Sequence, residues 1–169
     1  MRFVAFYLAL ISIVALSACG VKKNASTHNT ASVTKKYAKI IGIDEKNISN
    51  QNLYGFIDEW YGTPYQYGGK SKRGVDCSGF ISILYKQVFE KEVKGSASSI
   101  YDQCEKIQKN NLKEGDLVFF KIDSKEISHA GVYLANNKFV HATTKAGIMI
   151  DDLNEDYYRI YFEGCGRIK

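Results

Sequence analysis

A chain of 169 residues is long enough for one domain with a sizeable hydrophobic core and too short for two large ones. Its formal net charge of +5, from 23 basic and 18 acidic residues, is mild and excludes a nucleic-acid-binding charge profile. A modest lysine excess suits weak attraction to anionic headgroups or an acidic polymer, and it equally suits an ordinary soluble surface.

The chain opens with Met1-Arg2 and a nearly unbroken apolar run from Phe3 to Leu16, then Ser17-Ala18-Cys19. This pattern marks residues 1–18 as an export signal. The run falls short of the roughly 20 residues that cross a bilayer as a helix, so a permanent transmembrane anchor is the weaker reading. The segment Leu16 to Cys19 resembles the lipobox of bacterial lipoproteins, which implies that Cys19 is lipidated and becomes the mature N-terminus. The alternative is ordinary cleavage that leaves Cys19 a free thiol. Without the signal, 22 basic and 18 acidic residues remain, a net charge of +4. Residues 19–50 then turn to Lys, Asn, Ser and Thr with few aromatics, which predicts a flexible tether holding His28, with at most a short helix between Ile40 and Ile48.

A domain is predicted over residues 51–169. Leu53, Phe56, Ile57 and Trp60 recur at helical spacing and stop at Gly62 and Pro64, so a helix ends near Tyr61. Phe80, Ile81, Leu84 and Val88 describe an amphipathic helix from Cys77 to Phe89, with Asp76 at the N-cap. The second half changes period. Asp116–Lys121, His129–Ala135, Lys138–Thr144, Gly147–Ile150 and Tyr157–Phe162 are short, aromatic or β-branched, and separated by turn residues. Helices followed by an antiparallel meander of about five strands predict an α+β domain, with a site where the Cys77 helix packs on the sheet.

The segment Gly-Val-Asp-Cys-Ser-Gly-Phe, residues 74–80, leaves three roles open for Cys77: buried filler, half of a disulfide, or nucleophile. With Cys19 lipidated, Cys77, Cys104 and Cys165 are an odd number, so at least one is unpaired within the chain; a Cys104–Cys165 bridge stays open. A thiol attacks as the thiolate, and a helix N-terminus favours that anion through its unpaired N–H groups. The base candidates in the predicted domain are His129 and His141, both on predicted strands. Their faces depend on the connection between those strands. A two-residue Asn136-Asn137 loop sends them to opposite faces, whereas a three-residue loop, Ala135 to Asn137, pairs Gly131 with His141 and sets His129 diagonally beside it. Only the second register lets His129 take the Cys77 proton while His141 orients it. A zinc site of Cys77, His129 and His141 is the competing reading, without a close-spaced ligand pair.

Taken together, GTPYQYGG…GVDCSGF, LKEGDLVFF, SHAGVYLANNKFVHAT and the closing GCGRIK resemble, in order and spacing, the NlpC/P60 cell-wall cysteine peptidases over residues 52–169. The resemblance implies a papain-like fold in permuted form, with Cys77 as nucleophile, His129 as base and His141 as the orienting third residue. It implies that Tyr65, twelve residues before the cysteine, lends its hydroxyl near the oxyanion, and that Asp76 and Ser78 help hold the amine end of the substrate. Helix capping is the alternative for Asp76 and Ser78, and core packing for Tyr65. The segment GSASSIYDQ keeps a Gln at 103 but has Ser98 where relatives often carry Arg, which leaves fine specificity open. The implied function is hydrolysis of peptidoglycan stem peptides, at the γ-D-glutamyl to diamino-acid bond. The expected agent is a monomer with no metal or organic cofactor, no nucleic-acid partner and a lipid anchor in the cell envelope, at the outer membrane in a Gram-negative cell. The alternatives are a non-catalytic wall- or partner-binding lipoprotein and an amidase or acyltransferase on the same fold.

Overall fold

The computed structural model describes residues 30–169, so the expected signal peptide, Cys19 and His28 lie outside the described residues. Residues 30–41, expected as tether, instead form helix α1 (Thr30–Ile41) with Tyr37 and Ile41 fully buried. Val33, Tyr37, Ala38 and Ile41 make one apolar stripe, and Lys35, Lys36 and Lys39 on the other side gave the segment its polar average. The folded domain therefore starts at least 21 residues before Gln51. Gly42, at φ +70°, ends α1, and only one 3-10 turn, Glu45–Asn47, occupies the segment where a short helix was expected.

Helix α2 (Gln51–Trp60) begins at Asn50, whose side chain accepts the Leu53 N–H at 3.1 Å, and buries the predicted apolar face. It packs on α1, where the Tyr37 hydroxyl donates to Asp58 at 3.2 Å. A two-stranded ribbon, β1 (Lys70–Ser71) and β2 (Gly74–Val75), leads into helix α3 (Cys77–Val88). Asp76 caps α3 as expected, accepting the Gly79 N–H at 2.6 Å. A further helix, α4 (Ala97–Gln103), had not been predicted. There the Gln103 amide donates to the carbonyls of Lys94 and Ser99, both at 2.7 Å, closing its own loop.

The main sheet has six antiparallel strands rather than about five: β3 (Glu105–Ile107), β4 (Leu117–Phe120), β5 (His129–Tyr133), β6 (Lys138–Thr143), β7 (Gly147–Asp152) and β8 (Phe162–Arg167). Their order is β3-β8-β4-β5-β6-β7. The meander holds from β4 to β7, and the chain end then returns to insert between β3 and β4. Phe119, Ala130, Val132, Val140 and Ala142 face α2 and α3, while Val118, Phe120, Phe139, Tyr158 and Cys165 form a smaller core on the opposite face.

The predicted strand Tyr157–Phe162 is mostly helix α5 (Asp156–Tyr161), and β8 begins at Phe162. Its aromatic composition suggested a strand, yet only Tyr158 turns inward while Tyr157 and Ile160 stay exposed, as one helical turn dictates. The strand lies in the glycine-rich GCGR instead. Gly166 is required because a Cβ there would fall 2.4 Å from the Cys104 Cβ. Cys104 and Cys165 are free thiols in the cores on opposite sides of the sheet, so the open question of a bridge between them resolves against one.

The β5–β6 hairpin takes the register that the catalytic reading needs. Leu134 N–H donates to the Lys138 carbonyl at 2.9 Å, and Val132 pairs with Val140. The loop is thus Ala135 to Asn137, with Asn136 and Asn137 at φ +50° and +60°. Among the described residues no helix is long and apolar enough to cross a membrane.

Because α1 belongs to the core, Ile41→Ala is expected to cost about 3 kcal/mol in urea unfolding. A tether position would cost less than about 0.5 kcal/mol.

Candidate active site

Cys77 is the first residue of α3 and is buried, 8% exposed. Backbone N–H groups of Ala130, Ser78 and Cys77 itself point at its sulfur and favour the anion. Burial outweighs them, aided by the Asp76 charge, and pushes the thiol up to about 11. The helix N-terminus alone had suggested the opposite direction. Through the Ala130 contact, Cys77 meets β5 at the residue following His129.

His129 and His141 lie on the sheet face away from α3, so the site is offset from the expected helix–sheet interface to the end of the β5–β6 ladder. His129 Nε2 and His141 Nδ1 are 2.7 Å apart. Burial, and then the charge of His141, lower the His129 pKa to about 3, so its ring is a neutral base at physiological pH. Gly131 makes this approach possible, because a Cβ there would fall 2.6 Å from the Phe139 ring and 3.2 Å from the His141 Cβ. His141, 1% exposed, has its second nitrogen 2.9 Å from Asp151 Oδ2. The Tyr158 hydroxyl donates to the same oxygen at 2.6 Å. Both ring nitrogens of His141 are thereby engaged, which removes it as a ligand for the zinc reading.

Tyr65 is held near Cys77 by backbone pairing: Val75 N–H donates to the Pro64 carbonyl at 3.0 Å, and Gln66 N–H to the Val75 carbonyl at 3.2 Å. Burial, then the charges of Cys77 and Asp76, raise its hydroxyl pKa and keep it a proton donor. Asp76 is a working cap that also accepts from Gly68 N–H at 2.7 Å and from the Ser78 hydroxyl at 3.0 Å. The bond from Gly79 meets the capping alternative for Asp76, while Ser78 bonds to the capping carboxylate. A cleft of about 560 Å³ runs past Tyr65, His129 and His141 to Thr143, Tyr157 and Tyr158.

The profile of the NlpC/P60 family matches residues 62–167, which carry all of these groups. The chain belongs to the NlpC/P60 family. Over 94% of this chain and 97% of the relative it is 33% identical to a protein named probable endopeptidase NlpC from Escherichia coli K12. It is 30% identical to the murein DD-endopeptidase MepS/murein LD-carboxypeptidase of the same organism, over 95% of this chain and 89% of the relative. Among solved structures it is similar to an NLP/P60-family protein, described as similar to a lipoprotein, from Staphylococcus aureus, with a TM-score of 0.64 and 28% identity. That likeness covers 75% of this chain and 42% of the other.

Within this NlpC/P60 domain, Asp151 and Tyr158 join the site without having been legible from residue pattern, for different reasons. The predicted strand stops at Ile150 and leaves Asp151 outside it, whereas β7 runs on through Asp152. Tyr158 was hidden by the misread strand. The signal for Asp151 is its position in the hairpin: Met149 faces His141, and Asp151, two residues on, shares that face.

With the thiol pushed up to about 11, only about 10⁻⁴ of Cys77 is ionised at pH 7, so attack there calls for a group that takes the proton, and the neutral His129 ring is the candidate. Alkylation of Cys77 by iodoacetamide is therefore expected to be nearly flat from about pH 5 to 8, because His129 is already deprotonated there. In His129→Ala the rate should fall at pH 7 and climb about tenfold per pH unit, following the thiolate.

Proposed function

We propose that this protein is a cysteine peptidase that hydrolyses amide bonds in peptidoglycan stem peptides. The observation that carries this reading is the convergence of Cys77, at a capped helix N-terminus, on β5 beside a His129–His141 pair spaced at 2.7 Å. The names of the relatives, a probable endopeptidase and a murein endopeptidase, support the substrate class.

In the proposed reaction, Cys77 Sγ attacks the scissile carbonyl carbon as its proton passes to His129, and a C–S bond forms. The Cys77 N–H and the Tyr65 hydroxyl receive the developing oxyanion. His129 returns the proton to the leaving amine as the C–N bond breaks, leaving a thioester. Water then attacks, giving its proton to His129, and the carboxylic acid leaves as the thiol reforms. Asp76, which is buried, and Ser78, which is half-buried, hold the amine end of the stem peptide in this reading. The proposed bond joins γ-D-glutamate to the diamino acid. The relative named a DD-endopeptidase and LD-carboxypeptidase supports a second reading, a bond involving a D-residue further along the stem. Export and lipid attachment at Cys19 complete the proposal, with the enzyme acting as a monomer in the cell envelope.

Digestion of purified peptidoglycan by the full chain, beside Cys77→Ala, with products read by mass spectrometry, tests the activity and names the bond. Stem-peptide fragments are expected from the wild type, with a loss of about 10³-fold or more in Cys77→Ala. Fragments from both proteins at equal rates would overturn the nucleophile. Co-sedimentation with the polymer without products from either would favour the non-catalytic binding alternative.

A further inference from the structure

The Asp151 carboxylate is surrounded by donors. Although burial alone would raise its pKa, hydrogen bonds from His141 and Tyr158, and the charges of His141 and Lys138, hold it below the usual carboxylate range. An ionised carboxylate can only accept, so the 2.9 Å contact with His141 Nε2 requires the proton on that nitrogen. With a single ring proton, on Nε2, His141 carries a lone pair on Nδ1. Its 2.7 Å contact with His129 Nε2 needs one proton between the two nitrogens, and that proton must sit on His129 Nε2. The one nitrogen of His129 left without a proton is Nδ1.

We propose that Asp151, braced by Tyr158, is a positioning residue that sets the direction of both imidazole protons and so leaves the basic lone pair of His129 on Nδ1, the nitrogen available to Cys77. This inference rests on the reading of His129 as the base for Cys77. It extends that reading by two residues, neither of which touches the reacting atoms. Tyr158 gives the carboxylate a second donor at 2.6 Å and lies 3.4 Å from His141 Nε2. Phe139 and Tyr158 close around the imidazole, with ring centroids 4.6 and 5.3 Å from it, so His141 has little room to choose another partner.

Removing the carboxylate reverses the chain. A buried His141 Nε2–H without its acceptor is costly, whereas a bare Nε2 can accept from the Tyr158 hydroxyl that Asp151 has released. The His141 proton then belongs on Nδ1, where it donates to His129 Nε2, and the His129 proton moves to Nδ1. The base now presents an N–H to the thiol and cannot accept its proton.

The test is nitrogen NMR of the full chain with ¹⁵N-labelled histidine, in a His28→Gln background so that only two rings report. The wild type at neutral pH should show both rings protonated at Nε2 and bare at Nδ1; finding either ring protonated at Nδ1 overturns the proposal without any variant. Asp151→Ala should move both protons to Nδ1 and slow iodoacetamide alkylation of Cys77 at pH 7 by about 10²-fold, with unfolding curves confirming a folded chain. Tyr158→Phe keeps the carboxylate, so it should keep the wild-type tautomers and alkylate within about threefold of the wild-type rate. Unchanged tautomers and an unchanged alkylation rate in folded Asp151→Ala would also overturn the proposal. Neither readout involves peptidoglycan, so a wrong assignment of the wall substrate would leave both results standing, and a failure here would leave the digestion experiment unaffected.

Discussion

Everything at the site depends on a parity set by two asparagines. Asn136 and Asn137 occupy the left-handed region at φ +50° and +60°, a conformation that asparagine tolerates better than most residues because its side chain can bond to nearby backbone. That tolerance permits a three-residue connection between β5 and β6. Side chains alternate along a strand, so a connection one residue shorter would turn His141 to the α2–α3 face and leave His129 alone. The tip of the hairpin is tied back to the first helix by the Asn136 amide, which donates to the Ile41 carbonyl at 3.0 Å. The helix taken for tether therefore holds the turn on which the histidine pair depends.

The site then balances two opposed electrostatic terms. A helix N-terminus and three backbone N–H groups favour a thiolate at Cys77, and burial disfavours it more strongly. Burial also drives His129 toward its neutral form. Both groups are consequently uncharged at rest, and in the proposed reaction the transfer of one proton from Cys77 to His129 leaves the net charge of the buried site unchanged. Such a site avoids the cost of a standing buried ion. The carboxylate of Asp151 lies one imidazole further back, where it would face the positive charge that the proposed transfer creates.

Much of this was legible in the order of residues, and the exceptions have physical causes. Helix α3, its Asp76 cap and the four strands of the meander follow from local periodicity and turn chemistry, which act over a few residues. The errors fell where local composition and tertiary position disagree. Lysine-rich α1 looked like tether because its apolar stripe is only four residues wide, and that stripe has value only against α2. Tyr157–Phe162 looked like a strand because aromatic residues favour strands, whereas the packing of Tyr158 under the sheet selected one turn of helix and left the glycines of β8 to pair.

By itself the sequence determined the candidates for nucleophile and base, the capped helix that presents Cys77, and a choice of two hairpin registers of which only one brings the two histidines together. It could state that choice because strand parity is a counting rule. Tertiary structure decided the register, the burial that raises the thiol and lowers the imidazole, the separation of Cys104 from Cys165 on opposite faces, and the contact of Asp151 and Tyr158 with His141. These depend on which surfaces meet and how much water they exclude. Such quantities arise between residues far apart in the chain, so no local pattern of residue types contains them.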